Sequence, residues 1–392
     1  MYKFSKFLLS MFKIGCIGFG GGSALIPVIE REFIGDKKLD TKENFDRDIL
    51  IASLTPGALP VELAGSLGWR NFGWKGMVFG SVCMALPGVS ATLLLLTCLT
   101  QFRSQIGRIL GMLTIAVSLF IIWQIMRYFR KVCGQCREIS TKFFHRAIIV
   151  MIGVFALSCG KYLYQLIGIE GKPPVTLSTF HILSVAFVSI IGINIVRGIH
   201  HSHSTHNHAD SSYVSGAGSI KDLLVWIAFL LILVIPGLIM GNCNSPVSYL
   251  SFLARGGISV LLSFGGGDAY LAVADGLFVE SAMISSSTFY RDVVAVANIL
   301  PGSILCKALT AIGYYYGISI TGSILGGLTF ALGGFACSVA LSCMVFGMIY
   351  HLYERFSNFR SMKTISHYIG PIICGLLGTV ILALLVSIRN LW

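Results

Sequence analysis

Long apolar runs punctuated by glycine clusters and Pro-Gly pairs make up most of this chain. Runs such as 223–241 and 77–99 are long enough to cross a hydrocarbon core of ~30 Å. The pattern predicts eleven spans, near 8–28, 49–68, 77–100, 109–126, 147–168, 179–196, 222–241, 249–267, 293–313, 321–349 and 369–389. The tenth is long for one crossing and is expected to be two broken pieces. The first and eighth end in glycine runs, so a re-entrant course is open to both. The predicted fold class is an all-α polytopic membrane protein of about 11 transmembrane segments.

The punctuation repeats. Residues 19–68 align without a gap on 264–313, with 11 identities in 50 positions. They include Phe19/Phe264, Gly20–Gly22/Gly265–Gly267, Phe33/Phe278, Pro56/Pro301, Gly57/Gly302 and Gly68/Gly313, and Glu30 falls on Asp275. Apolar composition alone does not place two such motifs in one register, so the chain holds an internal duplication. The second copy starts seven spans after the first, an odd number, which predicts inverted repeats with broken helices, the architecture of secondary transporters. The expected organisation is a first half at 1–126, linking spans at 127–248 and a second half at 249–392.

Composition agrees with a membrane setting. Of 392 residues 55% are hydrophobic and 12% charged, where soluble domains carry about 25% charged residues. Met1–Ser10 is short and is followed by Lys13 and the glycines, so no cleavable signal is expected. The net charge of +12 belongs to short cytoplasmic loops rather than to nucleic-acid binding. Loop 127–146 holds six Lys and Arg against Glu138; counting spans from it puts the N-terminus, the Arg70/Lys75 loop, the 197–221 segment and the 351–363 segment on the cytoplasmic side. The eleven cysteines are scattered through apolar segments and read as small buried hydrophobes.

Glycine runs and Pro-Gly pairs break the helical hydrogen-bond ladder, which lipid tolerates only where the backbone is buried or lines a cavity. The substrate-binding candidates are therefore Gly20, Gly21, Gly22, Ser23, Pro56 and Gly57, with Gly265, Gly266, Gly267, Pro301, Gly302 and Ser303; the prolines open the breaks, and the glycine and serine N–H groups suit an anion. The same glycines also fit close helix packing. Glu62 lies six residues after Pro56 and Lys307 six after Pro301, an acid and a base at equivalent places. Lys307 is expected to attract an oxyanion and Glu62 to carry a coupling proton; a fixed Glu62–Lys307 pair joining the halves is the other reading. Glu30, Asp268 and Asp275 are further proton-coupling candidates or plain loop-end carboxylates, and Arg70 and Arg291 are read as interfacial anchors.

The tract from His200 to Ser219 reads as a flexible linker. Its histidines motivate a runner-up reading, a divalent-metal carrier, but the spans lack the closely spaced His and acid pairs a cation would want. The CGQC at 133–136 has no second pair to complete a zinc site. No ATPase loop, HExxH or G-x-S-x-G motif is present, and no span places a His beside a Ser or Cys, which argues against an enzyme. No metal site and no cofactor are expected. The expected partners are a small inorganic oxyanion and the lipid bilayer, with homo-oligomers compatible.

Four stretches, FGGGSALIPVIEREF, LTPGALPVELAGSLGWRNFGWKGMVFGSVCMALPG, FGGGDAYLAVADGLFV and NILPGSILCKALTAIGYYYGISITGSILGG, make the chain resemble the chromate transporter family in its long, two-halved form. The likeness covers roughly residues 5–125 and 250–390. It implies an integral membrane carrier of chromate or a related oxyanion such as sulfate, exporting chromate with ion coupling. Many relatives have a proline and then a His where this chain has Gly22 and Ser23, or Gly267 and Asp268. Many also read Pro-Gly-Pro where it has Pro-Gly-Ala at 56–58 and Pro-Gly-Ser at 301–303.

Overall fold

The computed structural model describes residues 4–17, 25–36, 39–101, 132–160, 220–240, 246–263 and 267–355, with Leu163 and scattered positions in 119–130 and 370–389. All regular elements among them are helical. The predicted span at 179–196, most of that at 109–126 and parts of those at 147–168 and 369–389 lie outside the described residues, as does the His tract.

The first copy runs α1 (Phe4–Ile17), α2 (Ile26–Glu30) with a π-wound extension Arg31–Asp36, α3 (Lys42–Leu54) and α4 (Leu59–Gln101). Two helices of the intervening stretch follow, α5 (Thr141–Ser158) and α6 (Ile220–Met240). The second copy runs α7 (Pro246–Leu261), α8 (Gly267–Ala274) with a π-wound Asp275–Val279, and α9, a 286–299 run made of Ser286–Thr288, π-wound Phe289–Val294 and Ala295–Ile299. It ends in α10 (Ile304–Thr321) and α11 (Ile324–Arg355). The duplication read from sequence is thus repeated element by element, down to a π-wound segment after the second helix of each copy.

Local chemistry sets the boundaries. The Thr41 side chain caps α3 by accepting from the Asn44 N–H at 3.3 Å. α3 stops at Leu54 because a residue before proline is pushed out of the helical region, and Thr55 is extended at φ −87°, ψ 145°. α9 ends the same way at Leu300, with φ −83° and ψ 149° before Pro301.

Among the described residues two helices are long and apolar enough to cross a membrane, Leu59–Thr100 and Ile324–His351. A straight helix of 42 residues would measure about 63 Å, twice the hydrocarbon thickness. α4 instead folds back at Gly73, whose φ of 63° and ψ of −152° are open to glycine. Its arms, 59–72 and 74–101, run antiparallel, with Ser81 Oγ donating to the Val61 carbonyl at 3.0 Å and Gly68 packed on Gly76. α10 and α11 form the corresponding hairpin around Gly322. The tenth predicted span is a correction: α11 is one continuous 32-residue helix, because its glycines serve contacts with α10 and α7 and it contains no proline.

α11 is the central helix. It packs on α10, α6, α7, α4 and α3, and its C-terminal half supplies Phe346 and Tyr350 to the core of the first copy. The two copies are therefore interleaved. α6, from the intervening stretch, lies along α11.

Candidate functional site

The two Pro-Gly pairs form equivalent breaks at 55–58 and 300–303, between helices that end at Leu54 and Ile299 and restart at Leu59 and Ile304. Gly57 at φ 146° and Gly302 at φ 96° take conformations that other residues rarely adopt. Each break lies against the opposite copy. The Gly57 N–H donates to the Ser263 carbonyl at 3.0 Å, and the Ala58 N–H donates to Ser342 Oγ at 3.1 Å. The Pro301 carbonyl and Gly302 sit against Gly88 of α4, with the Gly15 carbonyl of α1 beside Gly302. Ser263 leads into the second glycine run and Gly15 into the first, so each break packs at the foot of the other copy's run.

Glu62 and Lys307 occupy the same seat above these breaks. Glu62 Oε2 accepts from Thr55 Oγ1 at 3.0 Å, and Lys307 Nζ donates to the Leu300 carbonyl. Thr55 and Leu300 are equivalent positions, so each charged residue reaches back to the residue before its own proline. Both side chains are buried, at 1% exposure. The Cys306 thiol, one residue before Lys307, lies within electrostatic reach of both. Glu62 Oε1 has no hydrogen-bond partner and abuts Gly57.

The first break departs from an open anion seat in one respect: the N–H groups of Gly57 and Ala58 are already engaged by the second copy. Gly20, Gly21, Gly22, Ser23, Gly265 and Gly266 lie outside the described residues, and Gly267 and Asp268 open α8. The equivalent acids separate in character. Glu30 pairs with the exposed Lys42, whereas Asp275 is buried at the start of its π-wound turn.

Arg70 is a correction to its reading as an interfacial anchor. Its guanidinium is buried, bonding Asp40 Oδ2 through Nε at 2.6 Å, both oxygens of Asp48, and Ser66 Oγ at 3.1 Å. This cluster ties the approach to α3, α3 itself and the first arm of α4 together. Arg291 pairs locally with Asp292 at 2.7 Å.

A cavity of about 170 Å³ lies between α4, α6 and α11, lined by Glu62, Ser66, Asp222, Trp226, Cys343 and Phe346 among others. Sequence reasoning missed Asp222, which has no counterpart in the repeat and follows Lys221 at the start of α6. Its one signal was an acid within an otherwise apolar run. Of the CGQC pair, Cys136 is buried against Val132, Ala147 and Cys374. Among the described residues no group of three or more His, Cys, Asp or Glu is placed to hold a metal ion.

Comparison with known proteins places this sequence in a family. The chromate transporter model matches residues 5–171 and 250–391, covering both copies. The chromate transport protein of Pseudomonas aeruginosa is 22% identical over 391 residues, 96% of this chain and 78% of that protein. The uncharacterized transporter YwrA of Bacillus subtilis is 28% identical over 131 residues, 32% of this chain and 71% of that protein. The chromate transport protein of Cupriavidus metallidurans is 28% identical over 86 residues, 22% of this chain and 21% of that protein. No solved structure matches the chain. With the match extending over well more than half its length, the chain belongs to the chromate transporter family and is an all-α membrane transporter.

Proposed function

We propose that this chain is a secondary active transporter of a small inorganic oxyanion, chromate or a sulfate-like ion, acting at the cell membrane as a proton-coupled antiporter that exports chromate. In this reading the two copies are inverted repeats, the N-terminus is cytoplasmic, and the oxyanion binds among the Pro-Gly breaks and glycine runs. The observation that carries it is the exchange of the breaks: each sits against the other copy, with a buried charge of opposite sign in the same seat. Lys307 supplies the countercharge for the anion, beside Gly302 and Ser303, and a buried cation in a membrane protein is costly enough to mark function. Glu62, with one oxygen unpartnered, supplies a place for the coupling proton. The Gly57 and Ala58 bonds to Ser263 and Ser342 form a joint that can open when the copies move.

Purified protein in proteoliposomes, offered labelled chromate or sulfate with and without a pH gradient, tests the proposal. Lys307→Gln is expected to lower saturable flux at least about ten-fold while leaving the yield of folded protein unchanged. Glu62→Gln is expected to keep anion exchange and lose the response to the gradient. Wild-type flux in Lys307→Gln would remove the countercharge role.

A further inference from the structure

We propose that the open cavity between α7 and the π-wound end of α8 is an oxyanion site built on Arg255, separate from the Pro-Gly breaks. Its ligand is a tetrahedral oxyanion group, carried by a free ion such as sulfate or by a lipid phosphate. The free-ion form rests on the oxyanion reading above; the lipid form does not.

Arg255 is the one charged residue of Val247–Leu261, an otherwise apolar helix. A cation there is costly and calls for a reason. Its hydrogen bond does not supply one. Nη1 donates to the Leu277 carbonyl at 3.2 Å, but that carbonyl already accepts from Ser281 Oγ at 2.7 Å. Arg70 and Arg291 are each held by aspartates, whereas among the described residues no carboxylate pairs with Arg255. A guanidinium presents five N–H donors in a planar fork, suited to the paired oxygens of an oxyanion, and the Leu277 bond uses one. That bond also pins the fork to the cavity wall, so little ordering is left for the ligand to impose.

The cavity holds about 570 Å³ and is lined by Ser251, Arg255 and Ile258 of α7 facing Gly276, Glu280 and Ser281. Ser251 stands one helical turn before Arg255, on the same face, and its hydroxyl bonds to no other described residue. It is a second donor beside the fork. Glu280 is the acid of the lining, exposed and not paired with Arg255, and its like charge weakens the hold on an anion. Arg255 belongs to the second copy alone, because the equivalent first-copy residue is the buried Ser10. From Arg255, α7 runs on to Leu261, about 9 Å along its axis, toward the second glycine run. An anion bound here is held on the helix that leads into that run.

The test uses the full-length protein in nanodiscs of phosphatidylcholine, with binding of labelled sulfate measured in a Lys307→Gln background that silences the inner seat. Under the free-ion form sulfate binds, and Arg255→Gln weakens it about ten-fold or more. Ser251→Ala is expected to weaken it about three-fold, and Glu280→Gln to tighten it. Arg255→Lys keeps the charge without the fork and is expected to fall between wild type and Arg255→Gln. Thermal unfolding checks that each variant folds; should Arg255→Gln not fold, Arg255→Lys and Ser251→Ala decide. Native mass spectrometry reads the lipid form: protein purified with phosphatidylglycerol retains it, and the Arg255 variants lose it. Retention that depends on Arg255, without sulfate binding, identifies a lipid phosphate as the ligand. Folded Arg255 variants that bind sulfate and the lipid as the wild type does overturn the site, and so does a wild type that binds neither. Should wild-type proteoliposomes carry neither chromate nor sulfate, the transport reading fails while these binding measurements still decide the Arg255 site.

Discussion

The breaks at 55–58 and 300–303 share their backbone and differ in their chemistry. Both follow a helix stopped by a pre-proline residue, both turn on a positive-φ glycine, and both carry a buried charged side chain reaching back over the break. Yet one charge is an acid and the other a base. The first break is bonded to the second copy through two backbone donors, and the second presses its carbonyl and glycine against Gly88. Duplication has preserved the element that lipid makes expensive, an interrupted helix, and let the side chains around it diverge. In the proposed mechanism this divergence supplies a proton seat and an anion seat.

The largest expected effect tests a feature of one copy alone. Arg70, Asp40 and Asp48 form a buried cluster in the first copy, while the second carries Tyr315, Ser285 and Val293 at the equivalent positions. Removing one partner of a buried ion pair strands the others, at about 3–5 kcal/mol. Arg70→Met is therefore expected to cost most of the folded protein, read by size-exclusion profile and thermal unfolding, whereas Tyr315→Phe is expected to leave both intact. A stable, monodisperse Arg70→Met would show that the cluster is not holding the first copy together.

Next in size is the contrast between the glycines. Alanine at Gly57 meets an unfavourable φ and also runs into Glu62 Oε1 and the Ser342 side chain, so about 3 kcal/mol or more is expected. Alanine at Gly302 faces the φ penalty with its nearest neighbour, Gly88 Cα, at 3.3 Å, and about 1–2 kcal/mol is expected. Thermal unfolding of the two variants side by side measures the difference. Equal losses would mean that backbone conformation alone decides and that the tighter seat of the first break does not matter.

These contrasts also show what the sequence made legible. The gapless register of 19–68 on 264–313 located both breaks to the residue, because proline and glycine act locally and leave the same mark twice. It put Glu62 and Lys307 in equivalent seats for the same reason. The fold-back of α4 at Gly73 falls inside the Arg70/Lys75 loop read between the spans at 49–68 and 77–100; what was not legible is that helix runs on to residue 72 and resumes at 74. Arg70 was misplaced because its acids lie 22 and 30 residues away, where no periodicity connects them. Asp222 escaped because it lies outside the repeat, and only the packing of α6 on α11 puts it on the cavity that Glu62 also lines.

The smallest effect is expected where the copies differ at the surface. Glu30 pairs with Lys42, whose ammonium also lies 3.2 Å from Asp46, whereas the equivalent Asp275 is buried. The Glu30 carboxylate, foremost, with Asp46 behind it, holds the Lys42 ammonium above its ordinary range. A group whose folded value is raised contributes fully below its unfolded value, near ~10.4, and loses that contribution as pH climbs through the folded value. From pH 5 to 9 the pair should therefore add no slope to stability. Its contribution should also fade with salt, since exposed charges are screened within about 8 Å at physiological ionic strength. Lys42→Ala is expected to unfold with the wild type within error throughout that range and to transport normally. A clear loss of stability near pH 7 that persists in high salt would place Glu30 in a tighter setting than its exposed pair implies, and would bring the two equivalent acids back to the same standing.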